Sequence, residues 1–195
     1  MDQLERCSNL QAALDRVLSR CLELTGTGLG NIQLMDWRSG HLTIVVKRGF
    51  DSDFLKRFRI ITAEHGSACA RAVRYRRPIV IEDVRLDPEF KPYVEIAIST
   101  GFYAVQSTPM ISSSGAFLGV VSTHFPARHR PADQEMAAVK RAGELAANAI
   151  IHHRALRAID RFETAVDQTS TAREAIRHSY ELLLRVDRQL KQRTA

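Results

Sequence analysis

The chain has 195 residues, with 28 Lys plus Arg against 22 Asp plus Glu and a formal charge of +6. Hydrophobic residues make up 45% and charged residues 26%, proportions that exclude disordered, collagen-like and low-complexity chains. A chain of this size buries roughly 70% of its unfolded surface and needs neither disulfide nor metal to fold.

No segment approaches the roughly 20 apolar residues of a membrane span. The first residues, Met1 to Arg6, mix charges and do not read as a secretory signal. The three cysteines, Cys7, Cys21 and Cys69, are odd in number and widely spaced. That argues against a disulfide framework and for a reducing, cytoplasmic setting. The positive charge is spread: residues 151–195 carry +3 and the first 150 the other +3. The densest basic cluster, Arg71, Arg74, Arg76 and Arg77, reads as a solvated helix end, so nucleic acid is not an expected partner.

Residues 4–25 predict an amphipathic helix, with Leu4, Cys7, Leu10, Leu14, Leu18 and Cys21 on one face and Gly26 as its stop. Asn31–Asp36 and His41–Lys47 predict a hairpin turned by Arg38-Ser39-Gly40. A short amphipathic piece follows at Asp53–Phe58. Ser67–Tyr75 predicts an alanine-rich helix, Ile79–Ile81 a short buried strand and residues 91–100 another short helix closed by Gly101. Phe102–Ile111 and Ala116–Phe125 form a second predicted hairpin. Pro131 then opens a long helix. Two hairpins between helices describe an α+β domain with one central sheet.

The long helix is expected to run to about Val166, to be interrupted at Asp167–Ser170, and to restart at the Thr171-x-x-Glu174 capping box. Ile176, Tyr180, Leu183, Val186 and Leu190 would then form a stripe. Such a stripe packs either on the N-terminal helix of its own chain or in a two-chain bundle. The expected division is 1–155 for the globular domain and 156–195 for a helical extension.

Familiar chemical motifs fail on inspection. Gly26-Thr-Gly28-Leu-Gly30-Asn31 lacks the third glycine of a dinucleotide loop, and it lies between a helix and a strand in the wrong order. There is no phosphate-binding G-x-x-x-x-G-K-[ST], no C-x-x-C, no H-E-x-x-H and no G-x-S-x-G. Cys69 lies in the first turns of a helix after Gly66, where a thiol can be activated. Its small neighbours Ala68 and Ala70 fit an apolar filler equally well. In the second hairpin, alternation places Gln106 and Thr108 on one face and Ser107 on the other, and puts Ser122 and His124 together. Polar groups on a covered sheet need partners, from the protein or from a ligand.

Taken together, several stretches resemble GAF domains of bacterial signalling proteins, as found beside PAS and histidine-kinase modules. They are Gly66–Val84, Asp87–Tyr93, Gly101–Met110, Gly115-x-x-x-Gly119–Phe125, and Arg130-Pro131 before the long helix. The resemblance covers about residues 10–155. It implies a central antiparallel sheet with helices on both faces and long terminal helices. It also implies a ligand pocket bounded by Cys69, Val73, Asp83 to Phe90, Tyr93, Phe102 and Thr108. With Gln106 and His124 from the strand reading, these are the candidate ligand-binding residues. The N-K-F-D-E signature of cyclic-nucleotide phosphodiesterase GAF domains is absent. So are bilin-attachment contexts and the several pocket cysteines of GAF-type methionine sulfoxide reductases. No cofactor is named by the sequence. The expected role is a non-catalytic sensor that binds an unidentified small molecule or a partner and acts on a histidine kinase or other signalling protein. It would dimerise through its terminal helices. A thiol-based redox or hydrolytic enzyme using Cys69, and a ligand-free dimerisation scaffold, are the alternatives.

Overall fold

The computed structural model describes the backbone of residues 2–193 and the side chains of residues 10–172, 174 and 177–179. The chain forms two compact units, Met1–Ile151 and His152–Ala195.

The first unit is built on a six-stranded antiparallel sheet. In chain order its elements are α1 (Asp2–Thr25), β1 (Leu29–Asp36), β2 (His41–Arg48), α2 (Ser52–Arg57), β3 (Ile60–Ile61), α3 (Ala68–Tyr75), β4 (Ile79–Ile81), a 3₁₀ turn (Lys91–Tyr93), α4 (Val94–Thr100), β5 (Ala104–Ile111), β6 (Phe117–Phe125) and α5 (Asp133–Arg193). The spatial order is β3-β2-β1-β6-β5-β4. Both hairpins pair within themselves, and β1 joins them by pairing with β6.

Local chemistry sets the element ends. Gly26 takes a left-handed φ of 65°, and the Thr27 N–H returns to the Leu22 carbonyl at 3.2 Å, which closes α1. The Asp51 carboxylate accepts from the Phe54 N–H at 2.8 Å and starts α2. Ser67 caps α3 through the Ala70 N–H. Gly119 is required by close approach: a Cβ there would lie 2.0 Å from the Gln33 carbonyl oxygen on β1.

Helices cover both faces of the sheet, so two cores form. On one side α1 and the first turns of α5 bury Leu14, Leu18, Cys21, Ile32, Met110, Val121, Ala146 and Ile150. On the other, α2, α3 and α4 bury Phe54, Phe58, Cys69, Phe90, Ala97, Phe102 and Val120. All nine residues of β6 are buried, since it lies in the middle of the sheet. Each large side chain fully removed from water contributes about 1.5–3 kcal/mol, so burial in the two cores is the main term that favours folding.

Two features differ from the sequence reading. The pair Ile60–Ile61 adds a sixth, two-residue strand on β2, too short to show a period. The expected break at Asp167–Ser170 does not occur, and α5 is one continuous helix. There Thr169 and Thr171 turn their hydroxyls back to the carbonyls of Ala165 and Asp167, so the polar side chains are satisfied inside the helix. The stripe residues Ile176, Tyr180, Leu183, Val186 and Leu190, with Leu4 and Cys7 of α1, lie outside the described side chains. Among the described residues, no helix is long and apolar enough to cross a membrane.

Candidate functional site

The α2/α3 face of the sheet holds a polar cluster inside an aromatic cage. β1 contributes Asn31 and Gln33, β5 contributes Ser107, and β6 contributes Ser122 and His124. All five are at least 95% buried. Strand parity puts them on this face, and the pairings Asn31↔Ser122, Ser107↔Ser122 and Leu29↔His124 hold them in adjacent rows. Ser67 and Cys69 reach in from the start of α3.

Phenylalanines close the site from above. Phe50 stacks on Phe54 with centroids 3.9 Å apart, and Phe54 on Phe58 at 4.6 Å. The His124 ring meets Phe50, Phe54 and Phe102 edge to face at 4.9, 5.8 and 4.7 Å. This desolvated setting pushes the His124 pKa down to about 3, against a smaller upward pull from its hydrogen bond to the Leu29 backbone. The imidazole is therefore neutral at physiological pH.

Three acceptor atoms in the cluster, Asn31 Oδ1, Gln33 Oε1 and His124 Nδ1, make no hydrogen bond to the protein. The cavity they border has a volume of about 20 Å³. That is room for about one water, far below the roughly 300 Å³ of an ordinary small-molecule site. In this conformation the aromatic side chains fill the pocket.

Cys69 is a buried thiol beside the cavity. Burial pushes its thiol up, outweighing the downward pull of hydrogen bonds from Ser67 and Gln33. Ser67 Oγ lies 3.1 Å from Cys69 Sγ. Burial likewise pushes Cys21, on the other core, up to about 12. A thiol held protonated is a poor nucleophile.

Of the nine candidate residues, Cys69, Phe90, Phe102 and His124 border the cavity. Tyr93 stands one layer out, stacked on His65 at 4.0 Å and tilted against Phe58. Val73 is half-buried at the margin of the same core. Asp83 turns to Arg85, whose Nε and Nη2 donate to its carboxylate at 2.8 and 2.6 Å. Those bonds hold its pKa at about 2.

Gln106 and Thr108 do not border this cavity. They share the parity of Met110 and lie under the terminal helices, on the opposite face from His124. The pocket-facing residues of β5 are Val105 and Ser107. Alternation had separated Ser107 from Gln106 and Thr108, but could not say which set faced the pocket. The sequence reading also missed Asn31, Gln33, Phe54 and Phe58. Polar residues alternating with Ile32 and Leu34 look like the wet face of a strand. Here that face is covered by α2 and α3.

With this geometry established, comparison with known proteins defines the class. The GAF domain family model matches residues 7–151, and the chain belongs to the GAF domain family. Its fold is similar to the GAF domain of a phosphoenolpyruvate-protein phosphotransferase from Coxiella burnetii (TM-score 0.65, 21% identity, covering 76% of this chain and 86% of that one). It is also similar to a domain of a protein described as a two-component sensor histidine kinase from Sinorhizobium meliloti (0.60, 20%, 74% and 92%). A third relative is free methionine-R-sulfoxide reductase from Neisseria meningitidis in complex with its substrate (0.62, 18%, 75% and 81%). No curated protein matches the chain.

Proposed function

We propose that the chain is a non-catalytic GAF sensor module of a signalling system, which binds a small uncharged polar molecule in the α2/α3-face pocket. The observation that carries this reading is the buried trio Asn31 Oδ1, Gln33 Oε1 and His124 Nδ1, three acceptors without protein donors inside an aromatic cage. Buried acceptors favour a ligand that brings N–H or O–H donors. A cage with a neutral His124 and no charged lining residue favours an uncharged one. The ligand would enter by displacing Phe54 and Phe58, since about 20 Å³ admits nothing larger than water.

The exposed apolar residues Leu156, Ile159, Phe162 and Val166 on α5 recur at steps of three and four. They support a homodimer through this helix. Ligand binding would then bias one packing of the paired helices and pass the signal to a histidine kinase or other partner. The sulfoxide reductase among the structural relatives shows that this fold can host an enzyme. The buried thiol of Cys69 argues against that activity here.

Native mass spectrometry, followed by denaturing release, tests the reading. A dimer carrying a small neutral molecule supports it. A monomer removes the coupling through α5. An empty dimer that gains no thermal stability from a library of neutral heterocycles favours the second reading, a dimerisation scaffold with a filled pocket. The small cavity volume speaks for that alternative.

A further inference from the structure

A second concavity of the first unit lies away from the aromatic cage, at the β4 edge of the sheet. It has a volume of about 590 Å³ and sits between α5 and the β4–β5 edge. That is within the range of sites for small organic molecules. Its lining is basic. Arg76 and Arg77 project from the end of α3 and Lys140 from α5, with Glu144 the one acidic group. Lys140 Nζ lies 3.9 Å from Glu144 Oε1, at the limit of an ion pair. Neither Arg76 nor Arg77 pairs with a carboxylate among the described residues. The lining therefore carries a net charge of +2. The hydroxyls of Thr108 and Ser113 and the Asn148 amide add neutral hydrogen-bonding groups. Pro78, Pro109 and Ile111 supply an apolar floor.

Arg76 is the one described non-glycine residue with positive φ, at 51°. Glycine or asparagine suits that conformation better. The position instead carries a cation at the concavity.

We propose that this concavity is a second, external binding site for an organic phosphate monoester. Such a group is close to a dianion at neutral pH and matches the net +2 lining. Two guanidinium forks and an ammonium suit its oxygens, and the proline–isoleucine floor suits a flat apolar substituent. A molecule held here would tie together the end of α3, the β5–β6 turn and α5. It would thereby act on the helix that continues into the second unit. The site does not depend on the aromatic cage or on the function proposed for it.

The test uses the full chain, ¹⁵N-labelled, titrated separately with phenyl phosphate, inorganic phosphate and phenol. Saturable amide shifts are expected at Arg76, Arg77, Ser113 and Asn148 with phenyl phosphate. Its affinity should be at least about tenfold above that of either fragment. Arg76→Asn with Arg77→Gln, which keeps a residue tolerant of the left-handed backbone, should weaken binding by about tenfold or more. Lys140→Gln provides an independent variant outside the α3 end. Equal affinity for inorganic and phenyl phosphate overturns the proposal. So does the absence of saturable shifts at millimolar concentration, or shifts confined to Cys69 and His124. Binding undiminished in both variants overturns it as well.

Discussion

Ser107 Oγ and Ser122 Oγ lie 2.8 Å apart across the β5–β6 pair, buried at the floor of the aromatic cage. Each hydroxyl is the other's partner in a site with no access to bulk water. Replacing either by alanine strands its neighbour. Ser107→Ala and Ser122→Ala are each expected to cost about 1–2 kcal/mol. The double variant should cost clearly less than the sum, because it removes both groups that need a partner. Urea unfolding of the four proteins measures this, and strict additivity would count against the pairing.

His124 predicts a pH dependence. Its pKa is pushed down to about 3 by burial, and that of the half-buried His65 to about 4 by burial and by Arg57. Below about pH 6.5 the unfolded chain takes up protons that the folded chain refuses. Stability is thus complete above that pH and falls as pH drops toward 3, by at most about 1.4 kcal/mol per pH unit for His124. His65 adds less because of its exposure. His124→Phe should flatten the slope between about pH 6.5 and 5.5, where carboxylates remain largely ionised. An unchanged slope in the variant would assign the dependence to other groups.

The thiols should be slow. Cys69 and Cys21 are buried, and burial raises both. Iodoacetamide modification of either, followed by peptide mass mapping, should proceed only at the rate of local or global opening. Rapid, selective labelling of Cys69 in the folded protein would revive the nucleophile reading.

Two glycines should respond in opposite directions to alanine. A Cβ at Gly143 on α5 would meet the Pro109 oxygen at 3.5 Å and Met110 side-chain carbon at 3.7 Å, ordinary contacts. Gly143→Ala should therefore stabilise by about 0.5–1 kcal/mol through helix propensity. A Cβ at Gly66 would lie 2.1 Å from the Glu89 carbonyl oxygen, so Gly66→Ala must displace the backbone ahead of α3. A loss of about 2 kcal/mol or more is expected. Thermal denaturation of both variants checks the signs.

Most elements were legible in the chain because their signals are local. The Gly26 stop of α1 and the turn glycines of both hairpins act over a few residues. The two-residue strand β3 has no local period, since only the edge of β2 makes it a strand. The run Asp167–Ser170 reads as a break because Ser and Thr compete for backbone bonds. In the helix the threonine hydroxyls bond back to carbonyls four residues earlier, a resolution that composition does not encode.

The candidate site was legible only in part. Cys69, Phe90, Phe102 and His124, expected at one pocket, border one cavity. Gln106 and Thr108 were placed with them, although Val105 and Ser107 are the residues of β5 that face the cage. Strand alternation determines which residues share a face. It carries no information about which helices cover that face. The pairing of β1 with β6, and the packing of α2 and α3 over that surface, put Asn31, Gln33, Ser107, Ser122 and His124 together. The sequence by itself thus determined the α+β class, the order of elements and the GAF resemblance, through periodicity, turn chemistry and the order of its motifs. Only the tertiary structure decided which polar side chains meet, that aromatic rings close over them, and that a basic concavity lies at the sheet edge. Those facts depend on contacts between residues far apart in the chain, where no local pattern reaches.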